Sequence, residues 1–246
     1  MPHLMIAHGS KHPEHAAAFE RLLKRYHQLH PEPQLDYGFL NYCTPNAEER
    51  LLQLAKTNNN ITLIPLFLGK ASHVLEDIPN LIKAVQHACP SCRIQQTEVL
   101  GFSNELAPAL ESELQNLNHT KPFELPDTEL LLLGRGSSVK SSLQFMHDLK
   151  DRLTLPFKNI RVAFWDIAHP SFDQAQKDFL TSASTHLLVQ PLFLFPGILH
   201  DKCLQKLETN FKTHTHKQFI LGQPLCYWKN LTEMIHQRIT STRSFQ

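Results

Sequence analysis

Leu4-Met5-Ile6-Ala7-His8-Gly9-Ser10 opens the chain, and Leu131-Leu132-Leu133-Gly134-Arg135-Gly136-Ser137 stands near its middle. Each is an apolar run of strand length that breaks into a polar, glycine-bearing turn. The likeness extends outward from both. Ile64-Pro65-Leu66-Phe67-Leu68 matches Val189-Gln190-Pro191-Leu192-Phe193-Leu194 through Pro-Leu-Phe-Leu, and Val99-Leu100-Gly101 matches Ile220-Leu221-Gly222. Residues 37–45 match 162–170 more weakly. A histidine follows each Pro-Leu-Phe-Leu run, His73 in the first copy and His200 in the second, and the step from His8 to His73 equals the step from Arg135 to His200. A period of about 125 residues is far too long for a solenoid and marks duplication of a whole domain.

Glycine usage supports the same division. The 246 residues include only 8 glycines, about half of average usage, so each one left is expected where a side chain does not fit. Four fall in each half, and three pairs correspond: Gly9 with Gly136, Gly69 with Gly197, and Gly101 with Gly222. All six follow apolar runs, where a strand would end.

In the first copy, strands are expected at 3–7, 35–41, 61–67 and 93–100. Helices are expected at 14–30, 46–56, 74–87 and 104–116. Thr44-Pro45 supplies a cap and first-turn signal for the second helix. Strand alternating with helix predicts an α/β fold: two tandem duplicated domains, each a parallel sheet with helices on both faces. Lys121-Pro122-Phe123-Glu124-Leu125-Pro126-Asp127 is the natural linker. The expected domains are therefore 1–120 and 128–246.

Bulk composition narrows the function. Lys+Arg number 24 against Asp+Glu 23, a formal net charge of +1, so the basic footprint of a nucleic-acid binder is absent. An anionic ligand must be held by locally placed charge. No apolar run reaches membrane-spanning length; the most hydrophobic stretch, 187–199, is interrupted by Gln190, Pro191 and Pro196. The start of the chain lacks the pattern of a signal peptide. A soluble cytoplasmic protein is expected. The five cysteines are an odd number and do not suggest a disulfide framework. Cys89-Pro90-Ser91-Cys92 has redox or metal spacing, but with no second pair it reads as a reduced turn between helix and strand.

In open α/β sheets, ligands bind beyond the carboxyl ends of the strands. His8 follows the first strand and His73 the third, so both reach one edge of one sheet. Arg135 and His200 reach the equivalent edge of the second. Duplicated domains commonly face each other as isologous dimers do, which would gather the four around one cleft. Neutral imidazoles bind borderline divalent metals and accept protons near neutral pH. Glu76, three residues after His73 on a helix, would face the same way and orient the imidazole. Arg135 has no acceptor and suits a carboxylate or phosphate. One half is thus expected to handle metal and the other to bind anions. Gly134-Arg135-Gly136-Ser137 lacks the lysine and spacing of a nucleotide P-loop. His12 and His15 read as a solvated helix start. His214 and His216 are expected in a polar turn.

At Ala7-His8-Gly9-Ser10, at the stretch from Ile64 through His73 to Asp77-Ile78-Pro79, and at the stretch from Val189 to His200, the sequence resembles the long, two-domain form of the sirohydrochlorin chelatases. These are class II chelatases whose small relatives are single domains that dimerise. The resemblance covers nearly the whole chain. It implies a chelatase-like, flavodoxin-like fold and a lyase activity: insertion of Co²⁺ or Fe²⁺ into sirohydrochlorin, in cobalamin or siroheme biosynthesis. It also implies a site between domains, where His8 and His73 handle the metal and the pyrrole protons. Arg135 departs from the pattern in the second half, so one active site is expected. No permanent cofactor is implied, because the metal is a substrate. Lys70, Arg135 and Lys202 are placed to pair the macrocycle's carboxylates, with Ser10, Ser137 and His200 as further substrate contacts. Phe67, Leu68, Phe193 and Phe195 are placed to line the cleft. No nucleic acid, membrane or further subunit is expected as partner, and a monomer of two pseudo-symmetric domains is expected. Two other readings are a non-enzymatic metal or tetrapyrrole carrier on this fold, and a small-anion-binding protein built on the Arg135 loop.

Overall fold

The structure, a computed structural model, describes residues 2–31, 35–120 and 123–241. Two four-stranded parallel sheets form from two runs of the same element order. In the first, β1 (His3–Ala7), β2 (Leu35–Phe39), β3 (Asn60–Pro65) and β4 (Arg93–Gln96) lie in the order β2-β1-β3-β4. In the second, β5 (Thr128–Gly134), β6 (Asn159–Phe164), β7 (His186–Pro191) and β8 (Gln218–Leu221) lie in the order β6-β5-β7-β8. Both orders are the flavodoxin-like one. The chain steps from the first strand of each set to one side and then crosses to the other. The turning point of each sheet therefore lies between its first and third strands, β1 and β3 or β5 and β7.

Among the described residues eight α-helices accompany the strands: α1 (Pro13–Leu29), α2 (Ala47–Ala55), α3 (Ile78–Ala88), α4 (Leu106–Thr120), α5 (Lys140–Asp151), α6 (Phe172–Thr181), α7 (Ile198–Phe211) and α8 (Leu231–Ser241). Strand alternation decides which face each covers. Leu4 and Ile6 of β1 and Ile61 and Leu63 of β3 point to one face, where they meet Ala47, Leu51 and Ala55 of α2 and Ile78 and Val85 of α3. In the second sheet Leu131, Leu133, Leu187 and Val189 meet Phe172 and Phe179 of α6 and Cys203, Leu207 and Phe211 of α7.

The strands end earlier than the apolar runs suggest. β2 stops at Phe39, β3 at Pro65 and β4 at Gln96. Leu66 and Leu68 stay buried after the ladder ends, so apolarity persists where strand pairing does not. Their burial forms the floor under the loops at the carboxyl edge.

The chain folds as two compact units, one of residues Met1–Ser103 with Asn230–Gln246, the other of Asn104–Lys229. This departs from the expected division at 120 and 128. α4, expected with the first domain, belongs to the second unit, and α8 belongs to the first. In the first unit Tyr26 Oη lies 3.1 Å from His236 Nδ1, and the rings of His30 and His236 stack at 3.9 Å. In the second, the Glu111 carboxylate accepts from the Thr154 hydroxyl at 2.9 Å. An amphipathic helix advertises that it covers an apolar surface, not whose surface it covers, so the exchange is invisible to periodicity. Residues 121–122 of the expected linker lie outside the described residues, and Leu125–Asp127 makes a 3₁₀ turn. Among the described residues no helix is long and apolar enough to cross a membrane.

Candidate active site

β1 and β3 are neighbours at the turning point of the first sheet, and the loops leaving them carry His8 and His73. The two imidazole rings meet at 4.4 Å between centroids, tilted by 61°. Two residues far apart in the sequence are thus brought into contact at the edge where open α/β sheets take ligands.

The His8 turn is held from the next strand's loop. Gly9 has φ +82, and a Cβ there would lie 1.9 Å from the Asn41 carbonyl oxygen. Asn41 N–H donates to the His8 carbonyl at 2.9 Å. The Cys43 thiol bridges the Ser10 backbone, accepting from its N–H at 3.4 Å and donating to its carbonyl at 3.3 Å. The Ser10 hydroxyl accepts from His12 N–H at 3.1 Å. His12 in turn caps α1 through its ring, accepting from Glu14 N–H at 3.3 Å.

His73 opens a π-helical turn, His73–Asp77, that runs into α3. Pro79 supplies the reason: its ring crowds the carbonyl four residues back, which loosens the winding ahead of it. In this wider winding the residue four positions on comes closest above the first, and the residue three positions on swings aside. His73 Nδ1 accordingly meets the carboxylate of Asp77 at 2.6 Å. Glu76, expected to hold the imidazole, is exposed and forms no hydrogen bond or ion pair with any described residue. An α-helical spacing was assumed for a segment that is π-helical.

Both rings have the same tautomer for a legible reason. His8 Nδ1 lies 2.7 Å from the Gly9 carbonyl oxygen, and His73 Nδ1 faces the Asp77 carboxylate. Both partners can only accept, so each ring, when neutral, carries its proton on Nδ1 and its lone pair on Nε2. A metal-competent imidazole needs this state, with the second nitrogen fixed by a carboxylate or carbonyl. Among the described residues no group of three or more His, Cys, Asp or Glu is arranged to hold a metal ion.

The other expected contacts divide. Lys70 Nζ pairs with Glu98 at 2.7 Å and lies 5.2 Å from the Phe102 ring centre. Phe67 lies beside His73, ring centres 6.1 Å apart, whereas Leu68 is buried. In the second unit the backbone of the first site is repeated almost atom for atom. Gly136 has φ +97 with its virtual Cβ 1.8 Å from the Asp166 carbonyl oxygen, and Asp166 N–H donates to the Arg135 carbonyl at 2.8 Å. The Ser137 hydroxyl accepts from Val139 N–H at 3.0 Å, so it closes its turn as Ser10 does. Arg135 is exposed and makes no ion pair with any described residue. His200 Nε2 lies 3.4 Å from the Gly222 carbonyl oxygen and forms no hydrogen bond with Arg135. Lys202 is exposed, Phe193 is half-buried and Phe195 is buried. The scaffold is duplicated and the imidazole pair is not.

The cysteine pair is a loop element. Cys92 N–H donates to the Cys89 carbonyl at 3.0 Å, both thiols are free, and burial, then the neighbouring Cys89, pushes the Cys92 thiol up. His214 and His216 lie in the turn before β8, ring centres 6.4 Å apart.

The sequence pattern points to His8 and His73 and assigns no role to Asn41, Tyr42, Cys43 or Asp77. The weak repeat of 37–45 in 162–170 was their signal, since it marks the loop that clamps each first-strand turn. For Asp77 the Asp-Ile-Pro triplet was the signal.

The fold and site define the class: a duplicated α/β protein with two imidazoles in contact at the turning point of its first sheet. The chain belongs to the CbiX family, whose profile matches residues 2–117 and 129–242. It is 25% identical over 246 residues to the sirohydrochlorin ferrochelatase of Priestia megaterium, covering 98% of this chain and 90% of that one. It is 22% identical to the sirohydrochlorin cobaltochelatase of the same organism, covering 96% and 78%. Among solved structures, SirB from Bacillus subtilis with Fe³⁺ aligns with a TM-score of 0.85 at 20% identity, covering 98% of this chain and 94% of that one.

Proposed function

We propose that this protein is a chelatase that inserts a divalent metal, Co²⁺ or Fe²⁺, into sirohydrochlorin. The observation that carries the reading is the contact of His8 and His73, 4.4 Å apart, with both lone pairs on Nε2. Relatives along the whole chain bear the names of both the iron and the cobalt activity, and imidazole nitrogen suits either ion.

The chemistry follows from two such nitrogens. Insertion exchanges water on the ion for pyrrole nitrogen and releases two protons per macrocycle. Each imidazole can replace a water on the incoming ion and, once the ion has moved on, take a pyrrole proton at the same atom. Asp77 faces the opposite nitrogen of His73 and keeps that ring in register through both steps. Glu76 remains proposed only as an exposed proton relay to solvent. Ser10 and Lys70 serve the loop geometry of the first unit before any substrate contact. Arg135, with an exposed guanidinium, is the proposed anion-binding residue of the second unit, and Ser137 and His200 support that unit's turn and strand ends.

The test is an absorbance assay of sirohydrochlorin with Co²⁺ or Fe²⁺ in turn. Wild type is expected to give repeated turnovers, and His8→Ala with His73→Ala to abolish them at unchanged circular dichroism. Full turnover in that double variant overturns the assignment, and stoichiometric binding without turnover makes the protein a carrier.

A further inference from the structure

Tyr42 and Ile167 occupy the same place in the two units, and both break the same two rules. Each has a positive φ, 62 and 60, and each is an exposed large apolar side chain, 64% and 74% accessible. Each is the middle residue of a three-residue turn: Cys43 N–H donates to the Asn41 carbonyl at 2.7 Å, and Ala168 N–H to the Asp166 carbonyl at 2.5 Å. A left-handed residue in such a turn is strained; glycine would fit without penalty and asparagine with less of it. Solvent would also favour a polar side chain. Strain kept at an exposed apolar residue points to something outside the fold that the side chain meets.

In the first unit the neighbours say what that is. The Tyr42 ring centre lies 6.0 Å from that of His8, tilted by 52°. Lys11 Nζ lies 5.3 Å from the centre of the same phenol ring. An aromatic ring therefore stands beside His8 of the imidazole pair, with an ammonium over it. That combination fits a flat conjugated ring bearing carboxylates: its face against Tyr42, a rim carboxylate at Lys11. A hydrated metal ion alone would need neither.

We infer that Tyr42 is a substrate-positioning residue that holds the macrocycle's face beside His8, and that its strained turn exists to project the ring there. The inference rests on the chelatase reading. The experiment titrates metal-free sirohydrochlorin into wild type, Tyr42→Asn and Tyr42→Phe, following fluorescence, and measures Co²⁺ affinity and thermal melting on the same samples. Asparagine tolerates the left-handed backbone, so Tyr42→Asn should melt no lower than wild type. It should bind the tetrapyrrole about tenfold more weakly and raise KM by the same factor, with Co²⁺ affinity unchanged. Tyr42→Phe should restore wild-type binding. If wild type inserts metal and Tyr42→Asn binds sirohydrochlorin as tightly, this inference is overturned and the chelatase reading stands. If wild type neither binds nor metallates the tetrapyrrole, both fall.

Discussion

Replacing Asp77 by alanine removes the group that holds His73 in its tautomer. The contact is a charge-assisted hydrogen bond of 2.6 Å, with side chains 31% and 50% exposed. A buried bond of this kind is worth about 1.5–3 kcal/mol and an exposed ion pair about 0.2–1 kcal/mol. Half-exposed, it falls between, at about 1–2 kcal/mol. Converted at about 1.4 kcal/mol per decade, that is a loss of roughly 5- to 30-fold. The loss should appear in Co²⁺ affinity and in insertion rate together, because one nitrogen serves both. Asp77→Asn keeps an acceptor for the Nδ1 proton and loses only the charge, so about 2- to 5-fold is expected. Glu76→Ala should stay within about twofold, since water replaces a relay that is exposed and makes no hydrogen bond to His73. Initial rates and Co²⁺ titrations on the three variants decide the matter, and ¹⁵N NMR reads the His73 tautomer directly. A wild-type rate in Asp77→Ala, or a larger loss in Glu76→Ala, would refute the reasoning.

Two further outcomes follow from the scaffold. Gly9→Ala puts a Cβ against the Asn41 carbonyl at a left-handed position, and should cost about 2–4 kcal/mol in urea unfolding while slowing insertion. Gly197→Ala, where nothing lies within 4 Å, should stay within about 0.5 kcal/mol; equal effects at both positions would contradict the clamp. Burial pushes the Cys203 thiol up to about 12 from 9.0, with nearby Lys206 opposing. The unfolded chain then releases this proton first, so stability is intact below about pH 9 and falls as pH rises toward about 12, by up to about 1.4 kcal/mol per pH unit. Cys203→Ala should flatten that alkaline slope in chemical denaturation, and an unchanged slope counts against a buried, protonated thiol.

The sequence carried the parts of the fold and site that depend on local pattern. Apolar runs ending in glycine marked the strand ends, and their recurrence showed the duplication before any contact was known. His8 and His73 were legible because each sits just past such a run, and the strand-end rule needs no coordinates. Tyr42 was not legible: an exposed tyrosine in a loop looks ordinary until its φ and its distance to His8 are known. Glu76 is the partner that α-helical spacing predicts for His73, and only the backbone winding ahead of Pro79 sets Asp77 there instead.

What the sequence by itself determined was the duplicated α/β class, the two strand-end histidines and the loss of the first one's counterpart to Arg135. These follow from covalent order, strand-length apolarity and residue chemistry. Only the tertiary structure decided that the two imidazoles touch, that Asp77 and the Gly9 carbonyl fix their tautomers, and that α4 and α8 each complete the unit other than their own half. Those outcomes depend on how distant segments pack. A helix carries its apolar face with it wherever it docks, and a ring nitrogen takes its state from whichever acceptor the folded chain sets against it.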